Sequence, residues 1–374
     1  MNSSHLATRI RNSVALLVLA GVVAACGNKA EEAAVEGAAD SVVSADRGLA
    51  YVSNQEGGVT VIDLNTMETI RSIDPKGGMP RGIGITPDGK TLVTANKDEG
   101  NISIVDAASG ELIRFVEIGE NPEFVRVVGQ TAYVSFEPSS KGGPPPKPGE
   151  VVVEEEESDE PLVPARIAIV DLVEGKVTKE VVGGPETEGI EFSHDGTKLI
   201  ITNEEDDTVT VHDIATGELV KTVSTEGLGV RPRGIKAAPD GSAYVSTLEF
   251  SSNFLVMDSE FNVVRTVNTG ESPYGIAYNR DGSLIYVAAS KAKTLEVYDA
   301  KTYEKVNEVA TGDRCWHFTF TPDDKEILLA CGRSHEVLVI DTASLQVTKR
   351  IEDKELPWGI VAYPKAVGSL DAPE

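Results

Sequence analysis

The chain has 374 residues, with 34 Lys and Arg against 60 Asp and Glu, three cysteines and a hydrophobic fraction of 40%. That fraction, over this length, suffices for a sizeable core and excludes disordered, collagenous and disulfide-dense scaffolds. The net charge of −26 excludes nucleic acid as a partner, because a phosphate backbone demands a basic footprint.

Arg9 and Arg11 precede twelve apolar residues, Val14 to Ala25, which end at Cys26. Twelve helical residues rise only about 18 Å against a hydrocarbon core of about 30 Å, so the run reads as an export signal rather than a span. Val23-Ala24-Ala25-Cys26 resembles the lipobox of bacterial lipoproteins, in which the cysteine is acylated and becomes the mature N-terminus; an ordinary signal cut at an A-x-A-like site is the alternative. By that family's sorting rule, Gly27 after the cysteine implies the outer membrane. Several acyl chains, at about 0.8 kcal/mol per buried CH₂, would anchor the protein stably. Removing the signal takes two arginines and leaves a charge of about −28. Residues 26–47 are small and acidic and read as a flexible tether.

From residue 48 one unit recurs seven times. An apolar segment ending in aspartate appears at Asp63, Asp106, Asp171, Asp213, Asp258, Asp299 and Asp341, at intervals of 43, 65, 42, 45, 41 and 42 residues. Pro-x-Gly-Ile recurs at Pro80, Pro232, Pro273 and Pro357, with looser forms near Pro122, Glu188 and Trp316. The turn Thr86-Pro-Asp-Gly returns as Ser193-His-Asp-Gly, Ala238-Pro-Asp-Gly, Asn279-Arg-Asp-Gly and Thr321-Pro-Asp-Asp. Apolar and polar residues alternate at strand period between these marks, and the turns carry residues that accept positive φ. A period of about 42 residues holding four short strands is that of a propeller blade. The expected fold is therefore all-β, a seven-bladed β-propeller over residues 48–365 with four antiparallel strands per blade. The last strand, Pro357-Trp-Gly-Ile-Val-Ala, closes the first blade, and 366–374 form a tail.

Tyr51-Val-Ser-Asn, Tyr244-Val-Ser-Thr and Tyr286-Val-Ala-Ala, each followed by an x-Val-x-Val-Ile-Asp-like segment, resemble the YVTN-repeat propellers of exported bacterial and archaeal proteins. The Arg, Glu, Glu, Arg order at the Pro-x-Gly sites is similar to the propellers associated with pyrroloquinoline-quinone-dependent alcohol catabolism. The repeats also resemble the haem d1 propeller of a nitrite reductase, but the chain has no Cys-x-x-Cys-His attachment.

The long third interval carries an insertion, 137–161, with a proline-glycine half that cannot pair inside a sheet and an acidic half that repels itself. It reads as a solvated surface loop, with docking to a basic partner or weak cation binding as the functional alternative; it has no Ca²⁺-loop spacing. The x position of each Pro-x-Gly mark yields one residue per blade: Arg81, Glu123, Glu188, Arg233, Tyr274, Trp316 and Trp358. In a propeller this strand is innermost, so these seven should ring one channel mouth. Aromatic walls with converging charges suit a small anionic or aromatic ligand, with Arg81 and Arg233 on its carboxylates; structural Arg–Glu pairs plugging the channel are the alternative.

Cys315 and Cys331 lie symmetrically about the Thr321 turn, as a cross-strand disulfide would in an oxidising compartment. Two free buried thiols, or a metal site from Cys315, His317, Cys331 and His335, are the alternatives, the latter with spacings unusual for zinc. His194 and His212 have no nucleophile beside them. No metal or cofactor is expected. The sequence thus leads to an outer-membrane, lipid-anchored propeller that binds a ligand or an envelope or periplasmic protein without catalysis of its own. The family resemblance implies service to a periplasmic quinoprotein or redox system. A lactonase-like hydrolase using the mouth carboxylates and arginines is the alternative, because seven-bladed lactonases share this architecture.

Overall fold

The computed structural model describes residues 46–138, 163–352 and 354–371. The lipobox cysteine Cys26, the signal, the tether up to residue 45 and the insertion beyond Pro138 lie outside the described residues. Those described form seven four-stranded antiparallel sheets. In blade one, Pro357–Tyr363 pairs with Leu49–Asn54, followed by Val59–Asp63 and Glu68–Ile73, so the C-terminal strand closes the ring. Blade two runs from Pro80–Ile85 to Leu112–Glu117 and blade three from Pro122–Val128 to Lys176–Val182. Blade four spans Thr187–Phe192 to Leu219–Ser224 and blade five Pro232–Ala237 to Val263–Asn268. Blades six and seven span Pro273–Tyr278 to Lys305–Ala310 and Cys315–Phe320 to Gln346–Ile351.

The recurring aspartate explains the regularity of the outer hairpins. It ends the third strand of its blade, and its side chain accepts backbone N–H groups from the turn that follows. Asp106 Oδ1 takes Ser109 N at 2.7 Å, Asp299 Oδ1 takes Thr302 N at 2.7 Å and Asp341 Oδ1 takes Ser344 N at 2.7 Å. Such Asx closure replaces the water that the turn amides would otherwise bind. The first three strands of each blade are largely buried, while the fourth is mostly exposed, as in Glu68–Ile73. Branched residues such as Val52, Ile83, Ile102 and Leu328 fill the space between neighbouring sheets.

Two findings lie at the ends of the domain. Asp46 and Arg47 belong to the propeller rather than to the tether: Arg47 donates to Leu64 O at 2.8 Å and pairs with Asp323 at 2.9 Å, joining blade one to blade seven. At the other end, residues 366–371, expected as a tail, are buried. Phe320 N donates to Val367 O and Ser369 N to Phe318 O, at 2.8 and 2.9 Å. Lys365 Nζ reaches Val127 O in blade three at 2.9 Å, and Lys236 Nζ in blade five reaches Asp371 O at 3.2 Å. The segment is therefore a strap across the channel end opposite the Pro-x-Gly mouth. The physical reason is that Ala366, Val367 and Leu370 find apolar partners there, each at most 7% exposed.

Candidate functional site at the channel mouth

A shared backbone device presents the mouth residues. Two positions before each Trp, Tyr, Glu or Arg, a non-glycine residue adopts a left-handed conformation: Met79, Asn121, Glu186, Arg231, Ser272, Arg314 and Leu356 all have φ between 48° and 61°. The first strand then enters its sheet through a register irregularity, for example between Pro80 and Ile83, which leaves the x residue outside the regular ladder. The glycine that follows is a packing requirement. A Cβ on Gly82 would lie 2.4 Å from Glu123 O of the next blade, and Gly234 and Gly275 meet the carbonyls of Tyr274 and Trp316 equally closely. Hydroxyls latch the same junctions, Thr202 Oγ1 donating to Arg233 O and Thr247 Oγ1 to Tyr274 O, both at 2.7 Å.

Six of the seven expected residues meet around the channel, and four of them form one charged network. Arg81 pairs with Glu123 and lies 3.6 Å from Glu188. Arg233 pairs with Glu188 at 2.6 Å and donates to Tyr274 Oη at 2.9 Å, and Tyr274 Oη donates to Glu188 Oε2 at 3.2 Å. The Arg233 guanidinium lies 4.6 Å over the Tyr274 ring and that of Arg81 5.0 Å over Trp358. Trp316 takes less part. Its ring packs 6.5 Å from Tyr274 and lies where a side chain on Gly332 would stand.

Sequence reasoning missed half of this network. Lys97, Glu137, Glu204 and Glu249 each directly follow the second strand of a blade, a position as periodic as the Pro-x-Gly mark. Arg233 also pairs with Glu204 at 2.8 Å and with Glu249, and Lys97 lies 3.6 Å from Glu123. His317 was equally legible: blades three and seven lack the glycine, and the replacements, Phe124 and His317, fill the channel, 6.0 Å apart. His317 packs edge-on to Trp358 at 4.4 Å and to Tyr274 at 5.3 Å, with Nδ1 3.1 Å from Ser369 Oγ of the strap.

Burial and charge divide the carboxyl groups. Burial would raise Glu188, but Arg233 and Arg81 outweigh it and hold the group below the ordinary glutamate value. Burial dominates at Glu204 and Glu137, each also facing other carboxylates, and both are held well above that value. Burial lowers His317 to about 3 and Lys97 to about 8, the latter with help from Arg81. Several buried polar atoms find no hydrogen-bond partner among the described residues: Arg81 Nε, Glu123 Oε2, Glu137 Oε1 and His317 Nε2.

Cys315 and Cys331 face each other across the first two strands of blade seven and are joined as a disulfide. With both sulfurs so used, the four-ligand metal arrangement does not form; His335 Nδ1 instead lies 3.0 Å from Lys354 O. Among the described residues no group of three His, Cys, Asp or Glu is placed to hold a metal ion.

The family model "Lactonase, 7-bladed beta-propeller" matches residues 10–128. No curated protein matches the sequence. Hydrazine synthase of Kuenenia stuttgartiensis is similar in structure, with TM-score 0.66 and 19% identity, over 80% of this chain and 93% of that one. A functionally unknown protein of Desulfotomaculum acetoxidans gives TM-score 0.69 at 16% identity, over 87% and 100%. A protein of Bacteroides uniformis, provisionally assigned as a 6-phosphogluconolactonase, gives 0.67 at 15%, over 84% and 99%. These likenesses establish the seven-bladed propeller fold.

Proposed function

We propose that the protein is a lactone hydrolase acting at this mouth, the reading that the partial match to the lactonase family model favours over a non-catalytic scaffold. The observation that carries it is the opposite displacement of two carboxyl groups around Arg233: Arg233 and Arg81 hold Glu188 below the ordinary glutamate value, while burial raises Glu204 well above it. Two carboxyl groups driven apart by their surroundings supply a base and an acid in one site. Glu188 takes a proton from water as the water oxygen attacks the lactone carbonyl carbon. Arg81, whose side chain is partly exposed at the mouth, supplies positive charge for the oxyanion. The ring C–O bond then breaks, the alkoxide takes the proton of Glu204, and the product is the open hydroxy acid. The proton left on Glu188 returns to Glu204 through solvent. In a pH-stat assay on a panel of sugar and homoserine lactones, turnover should fall at least about a hundredfold in Glu188→Gln, the scale of general-base catalysis. Turnover unchanged in Glu188→Gln and Glu204→Gln alike would sink this mechanism.

The second reading is a binding scaffold, on its own or accessory to a quinoprotein. It is favoured by one observation: Arg81 and Arg233 are each already paired with the chain's own carboxylates. A protein with no lactone turnover that crosslinks to an envelope partner would decide for it. On the sequence of residues 9–26, we further propose acylation at Cys26 and attachment to the outer membrane. Palmitate labelling that persisted in Cys26→Ser would overturn that placement.

A further inference from the structure

The strap forms one wall of a second cavity, at the channel end opposite the mouth. It holds about 450 Å³, a volume within the range of small-molecule sites. Blade four contributes Glu191, blade five Lys236, blade six Ala277 and Tyr278, and the strap Val367 and Asp371. All six are buried, whereas Pro239 and Arg280, which also line the cavity, are exposed and stand at its entrance. None of these residues belongs to the charged network at the mouth.

Charge and apolar surface meet there. Arg126 and Lys236 lie 3.1 and 3.5 Å from Glu191, and Lys365 lies 3.4 Å from Asp371, every one of these side chains at most 10% exposed. Among the described residues this buried cluster therefore sets three cations against two carboxylates. Arg280 leaves that balance unchanged, because Asp324 accepts from its Nε and Nη2 at 2.5 and 3.0 Å. The nearby turn aspartates, Asp195 and Asp240, are exposed and accept the backbone N–H groups of Thr197 and Ser242 at 3.0 and 2.9 Å. Water and salt screen them far more than the buried groups. An ammonium carries three N–H donors. Among the described residues Glu191 and Asp371 O engage two of those on Lys236, which leaves one for a ligand. Burial, with Arg126 beside it, lowers the pKa of Lys236 to about 8, and perturbed cations in clefts are where function concentrates. We propose that this cavity binds a small monocarboxylate with an apolar body, its carboxylate on Lys236 and its hydrocarbon part against Ala277, Tyr278 and Val367. The anion brings the buried cluster to neutrality. This site is separate from the mouth and stands whether or not the hydrolytic reading holds.

The test titrates the full chain with benzoate, beside benzamide and benzylammonium as neutral and cationic probes of similar size, by isothermal titration calorimetry. Nuclear Overhauser contacts from the ligand ring to the Val367 methyl groups and the Tyr278 ring place the bound molecule. Benzoate should bind at least about tenfold more tightly than benzamide, a difference of about 1.4 kcal/mol, and benzylammonium should not compete with it. Lys236→Met, which removes the ammonium and keeps an apolar stem, should erase that preference and leave benzamide binding as it was. Benzoate that fails to bind at millimolar concentration, or binds no more tightly than benzamide, overturns the inference. So do ligand contacts to Trp358 and Tyr274 at the mouth in place of Val367 and Tyr278, or a folded Lys236→Met protein that keeps the preference. Should that variant not fold, the affinity ratio and the contacts in the wild-type protein decide alone.

Discussion

Replacing Lys236 with methionine should stabilise the protein, against the expectation that breaking a buried ion pair is costly. Lys236 is 4% exposed, near the strap end of the channel, 3.5 Å from Glu191 and 3.2 Å from Asp371 O. Burial, with the charge of Arg126 beside it, lowers its pKa from 10.5 to about 8 despite the pull of Glu191 and Asp371. That shift is the net cost of holding the ammonium there, about 3 kcal/mol at 1.36 kcal/mol per unit. The lost hydrogen bond to Asp371 returns about 1 kcal/mol, so Lys236→Met should gain about 2 kcal/mol at pH 7. Glu191 keeps Arg126 at 3.1 Å, so no carboxylate is stranded. Because the folded pKa lies below the unfolded one, the unfolded chain holds more protons between about pH 8 and 10.5. Wild-type stability should therefore rise through that window, and the gain of the variant should be full below pH 8 and shrink above it. Urea unfolding at pH 7 and 9.5, read by tryptophan emission and circular dichroism, measures both. A loss of about 3–5 kcal/mol at pH 7, unchanged at pH 9.5, would mean that the pair is net favourable and the reasoning wrong.

Arg233→Met should cost about 3–5 kcal/mol at pH 7, since it takes the nearest cation from buried Glu188 and Glu249, leaving them Arg81 at 3.6 Å and Arg314 at 3.7 Å. The depressed Glu188 contributes stability above its unfolded pKa and loses it as pH falls through the folded one, so the deficit should narrow at pH 3–4; an equal deficit there argues against the pairing. Reducing Cys315–Cys331, which are 16 residues apart, should lower stability by about 3 kcal/mol, and an unchanged urea midpoint with and without reductant would contradict it. Leu370→Ala, at 1% exposure, should cost about 2–5 kcal/mol if the strap is part of the folded domain. Truncation after Pro364 should bring the pKa of His317 up from about 3 toward 6.5, followed by NMR of the ring protons; a histidine that stays low would show that the strap does not seal the channel.

The seven blades, the closure by Pro357–Tyr363 and the placing of Arg81, Glu123, Glu188, Arg233, Tyr274 and Trp358 around one channel were legible in the sequence. Each rests on local chemistry that repeats every blade: an aspartate that closes its own turn, alternation at strand period, and a glycine where the next blade's carbonyl leaves no space for a Cβ. The electrostatics of the network were not legible, because the opposite displacements of Glu204 and Glu188 depend on burial and on Arg233, 29 and 45 residues away from them along the chain. Nor was the strap, whose residues carry no periodic mark and read as a tail until Phe318, Phe320 and Lys236 are brought beside them. Local hydrogen bonding and steric fit act between near neighbours and recur in the sequence; desolvation and Coulomb interaction depend on what surrounds a group in space, which only the closed ring decides.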